Sequence, residues 1–355
     1  MMPHYGTPPH YGLGVLAYTS NHGGNYDIWL LQPMSGYSIP LTRGIGEPFS
    51  VPYWPPDNRS IAFVGKGSIV YIVNLARGTV ARIDQIEPYT LLDWSPDSRR
   101  IAYVKNGRIV LYDTVSHTAR AIDHPGAADA QWFPSGSELL YTAPDTAGNN
   151  QLYRVNAGGA NRRQLTRMSA GPIHNVRLSP DGRFALFTSP GASISIVTTV
   201  DLATGNSYTL EGGTQAKNYF PEWSPDGSSI AYSATELSPE NRYYSLIQTD
   251  ARTGGRVVTQ AVSDCFASPV SWAANGSGLA YLSGCGAEQP ASQLWFVDFR
   301  MPTRPVKLAE GGSITAVRWS QSPRIIQPAA DDPIPPIPPV APVPPVAPVP
   351  PVVTH

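Results

Sequence analysis

Apolar and polar residues alternate along this chain in short, strand-sized runs, and the runs are separated by clusters rich in Ser, Pro, Asp, Asn and Gly. Alternation of period two, closed by turn formers, predicts β-strands joined by tight turns. One combination returns seven times: an aromatic or Leu anchor, a turn, then a short apolar strand. The copies read WPPDNRSIAF from Trp54, WSPDSRRIAY from Trp94, WFPSGSELLY from Trp132 and LSPDGRFALF from Leu178. WSPDGSSIAY from Trp223, WAANGSGLAY from Trp272 and the degenerate WSQSPRII from Trp319 complete the set. Successive anchors are 40, 38, 46, 45, 49 and 47 residues apart, a repeat period that fits four short strands per unit.

The unit around Trp223 illustrates the pattern. Asn218 to Trp223 reads as an opening strand and Ser224-Pro225-Asp226-Gly227 as a turn, in which Pro presets φ and Gly takes the positive φ. Ser229 to Ser233, Tyr244 to Asp250 and Val257 to Thr259 follow as strands two to four. Third strands also recur seven times, from YDIWLLQ at Tyr26 to QLWFVD at Gln293. A lone four-stranded meander cannot bury both faces, whereas meanders stacked radially can. The expected fold is all-β: a seven-bladed β-propeller of four-stranded antiparallel blades. Its first unit lacks an opening strand and its last, Ile314 to Ser320, supplies nothing else. N- and C-terminal strands should therefore complete one blade and remove the open edges.

Period two also sorts the opening strands into two sides. Two residues before each anchor stand Pro52, Leu92, Ala130, Val176, Pro221, Val270 and Val317, all apolar. One residue before stand Tyr53, Asp93, Gln131, Arg177, Glu222, Ser271 and Arg318. Opening strands are innermost in a propeller, so this second, mostly polar set should ring a central channel. It either keeps the channel wet or forms a ligand site.

Composition adds exclusions. Net charge is −1 with 14% charged residues, which gives no basic footprint for nucleic acid. Apolar stretches such as Ile69 to Val73 are too short for a transmembrane helix. Met1 to Gly12 has neither the cationic start nor the apolar core of a signal peptide.

The W-S-P-D-G-x-x-I-A-Y pattern, intact or nearly so at Trp94, Leu178 and Trp223, resembles the TolB-type, WD40-like propeller repeat over roughly residues 13–326. The resemblance implies a propeller and an exported, periplasmic or extracellular location. It does not extend to the family's namesake, which has six blades and an N-terminal α/β domain. Residues 1–12 form an N-terminal extension, 13–326 the propeller, and 327–355 a proline-rich tail.

Candidate chemistry is sparse. The nucleophile elbow G-x-S-x-G of oligopeptidases is missing, since Gly191-Ala192-Ser193 and Gly205-Asn206-Ser207 lack the second Gly. The His residues show no i, i+4 pair and no Cys/His cluster. No catalytic, cofactor or metal residues are assigned. Asp57, Asp97, Asp181 and Asp226 read as turn formers. Cys265 and Cys285 flank the Ala274-Asn275-Gly276-Ser277 turn symmetrically, which places them within disulfide reach across a hairpin. The alternative is two unrelated buried thiols. A bridge would accord with an oxidising compartment.

From Asp331 the tail reads DDPIPPIPPVAPVPPVAPVPPVVTH. Proline at that density extends as polyproline II, at about 3.1 Å per residue, and suits a semi-rigid spacer. The expected function is a non-enzymatic, monomeric scaffold binding a protein, peptide or glycan, with no cofactor. Contacts are expected on the face bearing the loops before each opening strand and between second and third strands. Candidates there are His22, Tyr26, Phe49, Tyr89, His174, Tyr219, Phe220 and Tyr243. The alternative is a hydrolase or lyase with an unrecognised site at the channel mouth, or the propeller module of a larger enzyme.

Overall fold

The computed structural model describes residues 13–33, 35–168, 173–190, 195–210, 218–286 and 290–321. Seven antiparallel sheets follow one another in sequence order as the blades of a β-propeller. Blade 1 is the mixed one. Ile314–Trp319 is its innermost strand and pairs antiparallel with Leu16–Ser20, Tyr18 facing Val317. Asp27–Gln32 and Tyr37–Pro40 continue outward. The joint is locked at both ends: Ser320 N donates to Val15 O at 2.8 Å, and Ser313 N to Asn21 Oδ1 at 2.6 Å.

Blade 2 consists of Ser60–Gly65, Ile69–Asn74 and Thr79–Gln85, and its innermost position shrinks to a bridge between Tyr53 and Ala62. Pro52, Pro55 and Pro56 surround Tyr53. Proline has no N–H for a ladder, so only one residue pair survives. Blades 3 to 7 have four strands each, with innermost strands Asp93–Trp94, Ala128–Trp132, His174–Leu178, Asn218–Trp223 and Val270–Trp272.

The S-P-D-G turn owes its recurrence to one hydrogen-bond circuit. In blade 6 the Ser224 hydroxyl donates to Asp226 Oδ1 at 2.6 Å, which also accepts the Ser228 N–H at 3.0 Å, while Ser224 Oγ accepts the Ser229 N–H at 3.0 Å. The same circuit joins Ser179, Asp181, Arg183 and Phe184 in blade 5. It recurs through Ser95, Asp97, Arg99 and Arg100 in blade 3. These aspartates are turn formers. Gly182 completes its turn at φ +69, and a Cβ there would lie 2.8 Å from Pro134 of the preceding blade.

Seven apolar clusters fill the seams between neighbouring blades, each built around the anchors and the apolar side of the inner strands. The six Trp anchors are buried. Four of their indoles also donate to the preceding blade, always to the carbonyl of its channel residue. The pairs are Trp54 to Arg318, Trp94 to Tyr53, Trp223 to Arg177 and Trp272 to Glu222, at 3.0–3.2 Å. Where the anchor is Leu178, Phe133 of blade 4 joins the seam in place of the missing indole. Among the described residues no helix is long and apolar enough to cross a membrane.

Candidate functional site: a polar channel and an aromatic cleft

Two concavities stand out among the described residues. Inner strands run from one face, carrying the loops between blades (the loop face), to the other, carrying the S-P-D-G turns (the turn face). The first concavity is the channel on the turn-face side, about 450 Å³. Tyr53, Asp93, Gln131, Arg177, Glu222, Ser271 and Arg318 all line it, between the Trp anchors and the turn prolines.

Its charges are partly paired. Arg318 Nη1 reaches Glu222 Oε2 at 3.3 Å and the Val270 and Val317 carbonyls at 3.2 and 3.1 Å. Asp93 Oδ2 accepts the Trp132 backbone N–H at 2.6 Å. Enclosure by seven blades keeps bulk water distant, which pushes the Asp93 carboxyl up to about 7 although the Trp132 N–H and Arg177 favour its charged form. Desolvation likewise raises Glu222 above the usual carboxylate range, against Arg318 and Arg177. Asp129, nearer the loop face on the blade 4 inner strand, is raised by the same cause.

The second concavity, about 1120 Å³, opens on the loop face across blades 6, 7 and 1. Tyr26, Phe49, Phe220 and Tyr243 line it, together with Phe266. Phe49, Phe220, Tyr243 and Phe266 are 59%, 44%, 58% and 42% exposed. Phe266 sits at the centre of the group: its ring lies 5.1 Å from Tyr243, edge-on, and 5.6 Å from Tyr219, which in turn is 6.2 Å from Phe220. Two of the exposed rings sit on backbone that bulky residues seldom adopt, Phe49 at φ 71 and Phe220 at φ 53. Phe220 lies at a register break between Tyr219 and Glu222, where the bulge turns it away from the channel side.

The remaining candidates are dispersed. Tyr89 is exposed, with φ 63, at the entry to blade 3, outside the cleft. His22 is exposed, its ring edge-on to Trp29 at 5.8 Å. His174 is exposed in blade 5, so the structure does not bring the two histidines together. Among the described residues no three His, Cys, Asp or Glu form a group that could hold a metal ion.

A disulfide joins Cys265 and Cys285, with Cα atoms 5.0 Å apart. Its register differs by one from a hairpin centred on Asn275. The ladder pairs Ser271 with Ala280 and Trp272 with Leu279, and it ends at Val270–Tyr281. Both cysteines lie beyond the ladder, where the chains are free to approach. Asp264 Oδ1 gathers this loop by accepting from Ser283 Oγ, Gly284 N and Cys285 N at 2.7–3.2 Å. The bridge and this carboxylate fix the base on which Phe266 stands.

Phe266 and Tyr244 were not expected at the site, whereas Asn241 and Arg242 belong to a loop between second and third strands, where contacts were expected. Phe266 had a sequence signal, since it occupies the loop before an opening strand, as Phe49 and Tyr89 do.

Residues 93–270, half of the chain, match the family profile of the TolB beta propeller domain. The chain belongs to that family. As a TolB-type propeller it superposes on TolB from Acinetobacter baumannii with a TM-score of 0.51 and 18% identity, over 83% of this chain and 79% of that one. Oligogalacturonate lyase from Vibrio parahaemolyticus gives a TM-score of 0.60 at 13% identity, over 79% of this chain and 85% of that one. At these identities the likeness is one of fold. Dipeptidyl-peptidase 5 of Porphyromonas gingivalis is 27% identical over 137 residues, 36% of this chain and 20% of the peptidase. The match thus spans about a fifth of that relative's length.

Proposed function

We propose that this TolB-type propeller is a binding scaffold whose loop-face cleft takes a protein, peptide or glycan against its aromatic wall. The observation that carries the reading is the gathering of Phe49, Phe220, Tyr243 and Phe266, each well exposed, on one cavity of about 1120 Å³. Such rings cost solvation unless a partner covers them, and they supply large contact area with few rotatable bonds. The rigid ring beneath supports the reading, because loops on a fixed scaffold are where recognition commonly sits. In this reading the channel residues serve the ring rather than a ligand, and the disulfide suits a periplasmic or extracellular setting.

A second reading, a propeller module of a larger enzyme, is favoured by the local match to a fifth of dipeptidyl-peptidase 5. Photocrosslinking separates binding faces directly. A photoreactive phenylalanine at position 243 or 220 should capture a partner in the native host, whereas one at position 97 or 135, on the turn face, should not. Capture from the turn face alone would reject the loop-face reading.

A further inference from the structure

The cleft has a chemistry narrower than that of a general binding surface. Its wall is aromatic and proline-lined, from Tyr243 and Phe266 to Pro48 and Pro290. The carboxylate among its described lining residues, Asp264, is already engaged by Ser283, Gly284 and Cys285. It therefore does not call for a basic ligand. Tyr243, Tyr244 and Asn241 bring groups able to donate hydrogen bonds to the rim. Arg242, also in the lining, adds further N–H donors, so a ligand with flat apolar ridges, spare carbonyls, few N–H groups and no positive charge meets all of these terms. That is the description of a polyproline II helix, which aromatic grooves recognise at low entropic cost.

We propose that the cleft is a polyproline II site and that residues 333–353 of this same chain are its occupant, an inference that rests on the loop-face reading above. Those residues contain only Pro, Val, Ile and Ala. None of their side chains is polar. The described chain leaves the ring on the turn face, at Gln321, whose N–H is held by Asn58 Oδ1 at 2.9 Å. Residues 322–332 reach at most roughly 40 Å. The repeats add about 60 Å more, so the chain beyond Gln321 reaches roughly 100 Å in all.

The experiment uses a chain ending at Ala330, which keeps every described strand and the closed ring. A fluorescent peptide of residues 333–353 should bind this chain at least tenfold more tightly than it binds the full chain, whose tethered copy competes at millimolar effective concentration. Phe266→Ala, and separately Tyr243→Ala, should each weaken peptide binding tenfold or more at unchanged melting temperature. No binding, or equal binding of a Gly/Ser peptide of the same length, overturns the proposal. If the peptide fails while crosslinks at position 243 still capture a partner, the occupant is wrong and the loop-face reading stands. If both fail, both fall.

Discussion

Asp93 holds Trp132 across the seam between blades 3 and 4: its carboxylate accepts the Trp132 backbone N–H at 2.6 Å. Ser271 does the same for Trp319, its hydroxyl accepting that N–H at 3.0 Å. These two anchors are also the ones whose indole N–H lacks a partner among the described residues. At the other four Trp seams the indole reaches the backbone carbonyl of the preceding channel residue instead. A short acceptor side chain at the channel position thus replaces one inter-blade bond with another.

That exchange predicts unequal costs for removing an indole nitrogen. Trp223→Phe loses the bond to Arg177 O and should cost about 1 kcal/mol more than Trp132→Phe, where no such bond exists. Both lose similar apolar volume, and Trp132 additionally gives up part of its contact with Arg100, 4.5 Å over its ring. Urea unfolding of the two variants measures it, and equal losses would refute the assignment.

The Asp93 carboxyl titrates near 7 in the folded chain and near 3.9 when unfolded. The folded state holds this proton more tightly, so the group's contribution makes stability fall as pH rises from about 4 to about 7. Asp93→Asn keeps an acceptor for Trp132 N and removes the buried charge. It should be neutral near pH 4 and stabilising by about 1 kcal/mol or more at pH 8, after discounting for channel water. An effect equal at both pH values would contradict the desolvated state of this group.

Asp226 should behave in the opposite sense. The Ser224 hydroxyl and Ser228 amide hold its carboxyl below the usual range, so its stabilisation is present above the unfolded value and disappears as pH falls through the folded one. Asp226→Ala should cost about 1 kcal/mol at pH 7 and little at pH 2, as read from thermal scans.

The mixed blade gives a truncation test. Ending the chain at Gly312 removes Ile314–Trp319, bares the Leu16–Ser20 edge and opens the seam holding Val317 and Trp319. Several buried side chains are lost, at about 2–5 kcal/mol each, so cooperative unfolding should be abolished. Ending it at Ala330 should preserve cooperative unfolding and lower the melting temperature by only a few degrees, through loss of the docked tail. Equal melting of the two would refute ring closure.

The disulfide closes a loop with sequence separation 20, worth about 3 kcal/mol in the chain-entropy estimate. Reduction should lower the melting temperature by several degrees and loosen the Phe266 loop. Mass spectrometry of unreduced peptides from the native compartment checks the bridge itself, with free thiols contradicting an oxidising location.

The ring was legible because its determinants are local and periodic. The turns after Trp94, Leu178 and Trp223 repeat the same hydrogen bonds, and alternation beside the anchors identifies Asp93, Arg177 and Glu222 as channel residues without knowledge of any contact. The cleft was only partly legible. Phe49 and Phe266 come from loops, Phe220 from a bulge in an inner strand and Tyr243 from the start of a third strand, and no period specifies how long the loops are or where a bulge turns Phe220. Proline at 52, 55 and 56 likewise reduced a full strand to the Tyr53 bridge. Symmetry about Asn275 found the right cysteine pair through a register off by one, because the bridge lies beyond the ladder.

Recognition through the loop face would depend on the aromatic cleft and not on the turns of the opposite face. The most direct measurement is the affinity of the partner captured at position 243 for two double variants of matched stability. Tyr243→Ala with Phe266→Ala should weaken binding by about 2 kcal/mol or more, some thirtyfold. Asp97→Ala with Ser137→Ala, in the turns of the opposite face, should leave affinity unchanged. Loss of binding from the turn pair alone, with the fold intact, would contradict the account.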